Sequence, residues 1–128
     1  MSIKFKVIER GEPGVVGGGT KKYYATAVSS GEMSLEEATA AIEESSTVSG
    51  ADIRAVLYAL VSLMSKSLAK GEIVRLGDLG SLRMSVSSKA EAAADDVASS
   101  SITGVKTIFT PGPRLKDAMK LMKYEKVS

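Results

Sequence analysis

The sequence predicts an α+β domain. Two segments with apolar residues at helical spacing occupy the middle of the chain, short alternating segments flank them on both sides, and glycine or proline punctuates most of the junctions. At 128 residues the chain suits one folding unit with an appendage rather than two full domains.

Residues 3–10 (Ile-Lys-Phe-Lys-Val-Ile-Glu-Arg) begin with the alternation of a half-buried strand, and residues 21–28 (Lys-Lys-Tyr-Tyr-Ala-Thr-Ala-Val) read as a second, giving an N-terminal strand pair. Gly11–Thr20 between them holds five glycines and a proline, the composition of a mobile connection. It nearly spells a phosphate loop, since Gly14-Val-Val-Gly-Gly-Gly19 runs into Thr20-Lys21. That motif, however, sets lysine before threonine and opens a helix, whereas a strand follows here.

Ser34-Leu-Glu-Glu37 is a capping-box sequence, and Leu35, Ala38 and Ile42 repeat on one face of a first helix that runs to about Ser45. Ser49-Gly-Ala-Asp52 opens a second helix, in which Ile53, Val56, Leu57, Leu60, Met64 and Leu68 form a broad apolar stripe ending at Gly71. The stripe is wider than the first helix of the same chain can cover, which points to an intertwined dimer. Glu72–Leu76 and Ser81–Val86 read as a hairpin around Gly77-Asp-Leu-Gly80. Ser87–Ser101 is small, polar and acidic, the composition of an exposed excursion without a core of its own. Ile102–Thr110 returns as a strand, Pro111-Gly112-Pro113 stops it, and a last helix begins at Arg114 with Leu115, Met119 and Met122 on one side.

Composition removes whole classes of function. The chain has no cysteine and no histidine, so disulfides, thiolate nucleophiles, imidazole bases and zinc sites built from those residues are excluded. No apolar run approaches the roughly 20 residues of a membrane span, and the first residues lack the apolar core of a signal peptide, so a cytoplasmic protein is expected. A net charge of +2 is too small to argue for a nucleic-acid partner by itself, and the distribution of bases must decide. Glu36, Glu37, Glu43 and Glu44 supply carboxylates, but capping and a wet helix face account for them without a pocket.

Three segments then resemble the HU and integration-host-factor family of bacterial histone-like DNA-binding proteins. Leu68-Ala-Lys-Gly-Glu-Ile-Val74 matches the family's leucine, basic residue, glycine, acid and apolar pair; Asp78-Leu-Gly-Ser-Leu82 is similar to its Gly-Phe-Gly-Thr-Phe turn, with leucines for both aromatics; Phe109-Thr-Pro-Gly-Pro-Arg-Leu-Lys116 looks like its closing Phe-Arg-Ala-Gly-Lys-x-Leu-Lys. The likeness runs from Ser34 to about Met122, in order, and ordered agreement over three segments is more specific than any one of them. Residues 1–30 form an extension that short members lack, leaving 31–128 as the dimerisation and DNA-binding domain.

The resemblance implies an IHF-like fold: a helix pair, a three-stranded antiparallel sheet drawn out into a β-ribbon arm, and a C-terminal helix, assembled as a homodimer in the nucleoid. It implies double-stranded DNA as the partner, bound without sequence specificity and without a cofactor, small-molecule substrate, membrane or catalytic step. The candidate DNA-binding residues are Arg75, Arg83, Lys89, Lys106, Arg114, Lys116 and Lys120. Arg75, Arg83 and Lys106 lie near the base of the arm, where phosphate contact and a solvated strand face are both open readings. Residues 112–126 hold five bases against Asp117 and Glu125, either a DNA contact or a helix end complementing its dipole. Lys21-Lys22-Tyr23-Tyr24 either grips a nucleic-acid strand or packs on its neighbours.

The departures are equally specific. The arm, Ser81–Pro111, carries Arg83, Lys89 and Lys106 against Glu91, Asp95 and Asp96, and no proline stands at its tip, so weak bending is expected. Thr110 replaces the family arginine. An HU-like protein-interaction module that has lost DNA binding is the alternative reading.

Overall fold

The structure is a computed structural model and describes residues 1–127. In chain order it contains β1 (Ile3–Arg10), β2 (Lys22–Val28), α1 (Leu35–Ser45), α2 (Gly50–Ala69), β3 (Val74–Arg75), β4 (Gly80–Ser88), β5 (Ile102–Pro111), α3 (Pro113–Lys120) and β6 (Tyr124–Lys126). The chain divides into two compact units, one made of Met1–Ala38 with the residues from Met119 onward, the other of Thr39–Ala118.

In the first unit β1 and β2 pair antiparallel with Lys4 opposite Val28 and Arg10 opposite Lys22. The expected strand pair is therefore present, but it is two-thirds of a sheet. β6 runs parallel along the other edge of β1, placing Tyr124 beside Ile3, with the Ile3 N–H donating to the Lys123 carbonyl at 2.7 Å and the Val127 N–H to that of Phe5 at 2.9 Å. A parallel pair cannot be joined by a tight turn; here the connection is nearly the whole chain. The last helix stops at Lys120, before the Met122 expected from its apolar spacing.

Local chemistry fixes the helices. Ser34 Oγ accepts the Glu37 N–H at 3.1 Å and Ser49 Oγ the Asp52 N–H at 3.2 Å, so both anticipated caps form. The Glu43 carboxylate also accepts the Gly50 N–H, tying the end of α1 to the start of α2. At the other end of α2 the Gly71 N–H reaches the Leu68 carbonyl and the Glu72 N–H that of Ser67, a Schellman stop that needs the positive φ of Gly71. Pro113 occupies the first position of α3, where its missing N–H costs nothing.

The second sheet has the order β3-β4-β5. Val74 faces Leu82, Leu82 faces Phe109 and Val86 faces Val105, with one slip between Ser87 and Ser88. Among the described residues only Ile53 and Leu68 are buried apolar side chains, while Val56, Tyr58, Val61, Leu63, Val86 and Val105 all remain more than half exposed. Among the described residues no helix is long and apolar enough to cross a membrane.

Candidate nucleic-acid interface

The pleat of the ribbon sorts its side chains by chemistry. One face of β3–β4–β5 carries Val74, Leu82, Met84, Val86, Val105, Thr107 and Phe109. Toward α2 this face forms an open apolar groove with Val61, Met64 and Leu68. The opposite face carries Arg75, Ser81, Arg83, Ser85, Lys106, Ile108 and Thr110.

On that polar face the three bases form a stripe. Arg75 sits opposite Ser81, Arg83 is the next outward position on β4, and Lys106 sits opposite Ser85, the one after. Each step is two strand residues, or about 6.6 Å. No acid shares the face, since its other residues are serine, threonine, isoleucine and glycine. The three bases and three acids of the arm cancel as a count along the chain, yet in space they are separated. Glu91, Asp95 and Asp96 lie beyond the paired strands at the tip.

The tip is more organised than its composition suggests. Residues 94–96 and 99–101 form single 3₁₀ turns. Ser101 is buried, its Oγ donates to Glu91 Oε1 at 3.2 Å and accepts the Ala98 N–H at 3.1 Å, and its carbonyl accepts the Lys89 N–H at 2.9 Å. Lys89 Nζ lies 3.7 Å from the same Glu91 oxygen. Thus Lys89 is at the tip and paired, apart from the stripe.

The base of the ribbon is drawn in by two glycines. A Cβ on Gly80 would collide with the Thr110 carbonyl and lie 2.9 Å from the Phe109 ring, and one on Gly112 would strike the carbonyls of Gly77 and Asp78. The Gly112 N–H donates to the Leu79 carbonyl at 3.1 Å, locking the Asp78–Leu82 turn against the entry to α3. This close approach creates a shallow hollow lined by Arg75, Ser81, Thr110 and Lys116. Lys116 therefore joins the stripe. Arg114 does not: it lines a separate hollow with Asp78 and Leu115. Lys120 ends α3, one turn beyond Lys116, and has a partner of its own.

Of the seven residues expected to meet DNA, four come together and three lie elsewhere. Thr110 and Ser81 are not among the seven, although strand parity from Lys106 and Arg83 finds both. Among the described residues no cluster of three or more acidic side chains could hold a metal ion.

The family described as "HU domain fused to wHTH, Ig, or Glycine-rich motif" (HU-HIG) matches residues 1–126. Among solved structures, a protein from Bacteroides vulgatus ATCC 8482, provisionally described as a bacterial DNA-binding protein, superposes with a TM-score of 0.68 at 12% identity, over 98% of this chain and 48% of its own. This chain thus spans about half the length of that protein. No curated protein matches the sequence.

Proposed function

Because the chain belongs to the HU-HIG family and has its mixed α+β, HU-like fold, we propose that it binds double-stranded DNA as a sequence-nonspecific architectural protein of the bacterial nucleoid, and that it does so as a homodimer. The observation that carries this reading is the acid-free face bearing Arg75, Arg83 and Lys106, continued by Lys116 at the base of the ribbon. Cations at regular steps on a smooth strand face suit a phosphate backbone, and their serine and threonine neighbours add hydroxyl donors. The role is one of binding, with no catalytic step.

The homodimer is supported by the groove between α2 and the apolar ribbon face, which a second copy presenting the same surface would fill. In this reading residues 31–128 carry dimerisation and DNA binding, residues 1–30 are an extension, and β6 belongs to the sheet of that extension. Bending is weak, because the tip offers Ala-Asp-Asp-Val where a wedge residue would unstack a base step.

The acidic tip also favours a second reading, an HU-like homodimeric protein-interaction module without DNA binding. Titration of random-sequence duplexes at about 50 and 200 mM salt separates the two. Binding that falls steeply with salt and varies little with sequence is expected. Absence of binding at the lower salt hands the function to the second reading.

A further inference from the structure

The charge of this protein is unevenly divided. The unit Thr39–Ala118 contains nine basic and nine acidic side chains, so the net +2 of the chain resides wholly in the other unit, with eight bases against six acids. Within that unit the sheet β2-β1-β6 is two-faced. Ile3, Phe5, Val7, Ala25, Ala27 and Tyr124 share one face with Glu9, Tyr23 and Lys126, and its apolar part lines a hollow. Lys4, Lys6, Arg10 and Lys22 share the other, with Ile8, Tyr24, Thr26 and Val28 among them and Glu125 as the acid of the face.

We propose that this second face is a further contact surface for the phosphate backbone of duplex DNA, separate from the ribbon. The inference rests on the reading of the protein as DNA-binding and assigns a role to the extension that short HU-like chains lack. Three features argue for a polyanion. Lys4, Lys6 and Arg10 lie in one row along β1, spanning about 20 Å, which suits an extended chain of charges better than a single small anion. The side chains opposite Lys6 and Ile8 are Thr26 and Tyr24, whose hydroxyls are phosphate donors. Finally, the face carries one acid against four bases: Glu125, which lies opposite Lys4 and accepts from Ser2 Oγ at 3.0 Å, while the Arg10 guanidinium is held over the Tyr24 ring at 5.4 Å. Lys22 is partly committed, 3.0 Å from Glu12, which leaves Lys4 and Lys6, both exposed, as the principal phosphate-binding groups.

The test compares the full chain with a Lys4→Gln/Lys6→Gln variant and a Lys4→Arg/Lys6→Arg variant, using fluorescence anisotropy on a random-sequence duplex, with dimer mass and melting checked alongside. The glutamine variant should bind roughly tenfold more weakly at about 0.1 M salt, with log K against log salt flatter by about 0.9 for each phosphate no longer neutralised, while the arginine variant retains both affinity and slope. Wild-type affinity in the glutamine variant, with binding still weakened by Arg83→Gln/Lys106→Gln, would overturn this surface and leave the ribbon reading intact. Equal weakening in the arginine variant would also overturn it, since the charge would then be irrelevant. No duplex binding by wild type would remove both readings together. Independently of any variant, duplex titrated into isotope-labelled wild type should move the amide signals of Lys4–Arg10. Static signals there while those around Arg83 move would again reject the surface.

Discussion

Arg83 and Lys106 stand on adjacent strands of the ribbon, on the same face and one two-residue step apart, with Ser85 opposite Lys106 and Ile108 opposite Arg83. Neither has an acid beside it on that face. Replacing both by glutamine should therefore remove attraction without relieving any internal ion pair. Affinity for every duplex sequence should fall together, and the salt dependence should flatten by about 0.9 for each phosphate that the variant leaves unneutralised. A fall confined to particular sequences, read by competition between duplexes, would instead indicate base readout.

The apolar groove formed by Val61, Met64 and Leu68 of α2 with Met84, Val86 and Val105 of the ribbon predicts the oligomeric state. Light scattering at micromolar concentration should give twice the chain mass. Met64→Asp or Val105→Asp would leave a buried, unpaired carboxylate in that interface, a penalty of several kcal/mol, and should shift the mass toward one chain. Val15→Asp, on the exposed glycine loop of the other unit, should leave the mass unchanged.

Gly80 and Gly112 set how closely the turn at 77–80 approaches the start of α3. Gly112→Ala drives a methyl into two backbone carbonyls, and Gly80→Ala adds a side chain at φ 137°, where L-residues are strained. Each should cost about 2 kcal/mol or more, lowering the melting temperature by several degrees. Gly14→Ala has open space around its Cβ although its φ is also positive. It should therefore cost less than Gly80→Ala.

The legible parts of this fold are those determined by near neighbours. Ser34 and Ser49 announce their helices because a cap is satisfied three residues away, and Gly71 ends α2 for the same kind of reason. β6 was illegible because Tyr124-Glu125-Lys126 is too short to show a period and its partner, Ile3–Phe5, lies at the opposite end of the sequence. The candidate site falls between these cases. Arg75, Arg83 and Lys106 were visible as bases, but their alignment depends on cross-strand register, and a count of charges along residues 81–111 conceals it. Arg114 and Lys116, two residues apart on α3, line different hollows, a separation that follows from the helix once its start at Pro113 is known.

The acidic tip supplies the last prediction, because its charge and its architecture can be altered separately. Asp95 and Asp96 form an exposed 3₁₀ turn, whereas Glu91 is bound by Ser101 and Lys89 and holds the tip together. Asp95→Asn with Asp96→Asn should thus leave the tip intact and strengthen DNA binding modestly, most clearly at low salt, as repulsion between the tip and the phosphates falls. Ser101→Ala acts in the opposite way. It removes an acceptor for the Ala98 N–H and a donor to Glu91 at a buried position, at a cost of about 1 kcal/mol or more, without changing any charge. Amide exchange of Lys89 and Ala98 should accelerate in that variant while exchange through α2 stays slow. Unchanged affinity in the asparagine variant at low salt would show that the tip lies clear of the DNA, and the ribbon would then meet the duplex through its base alone.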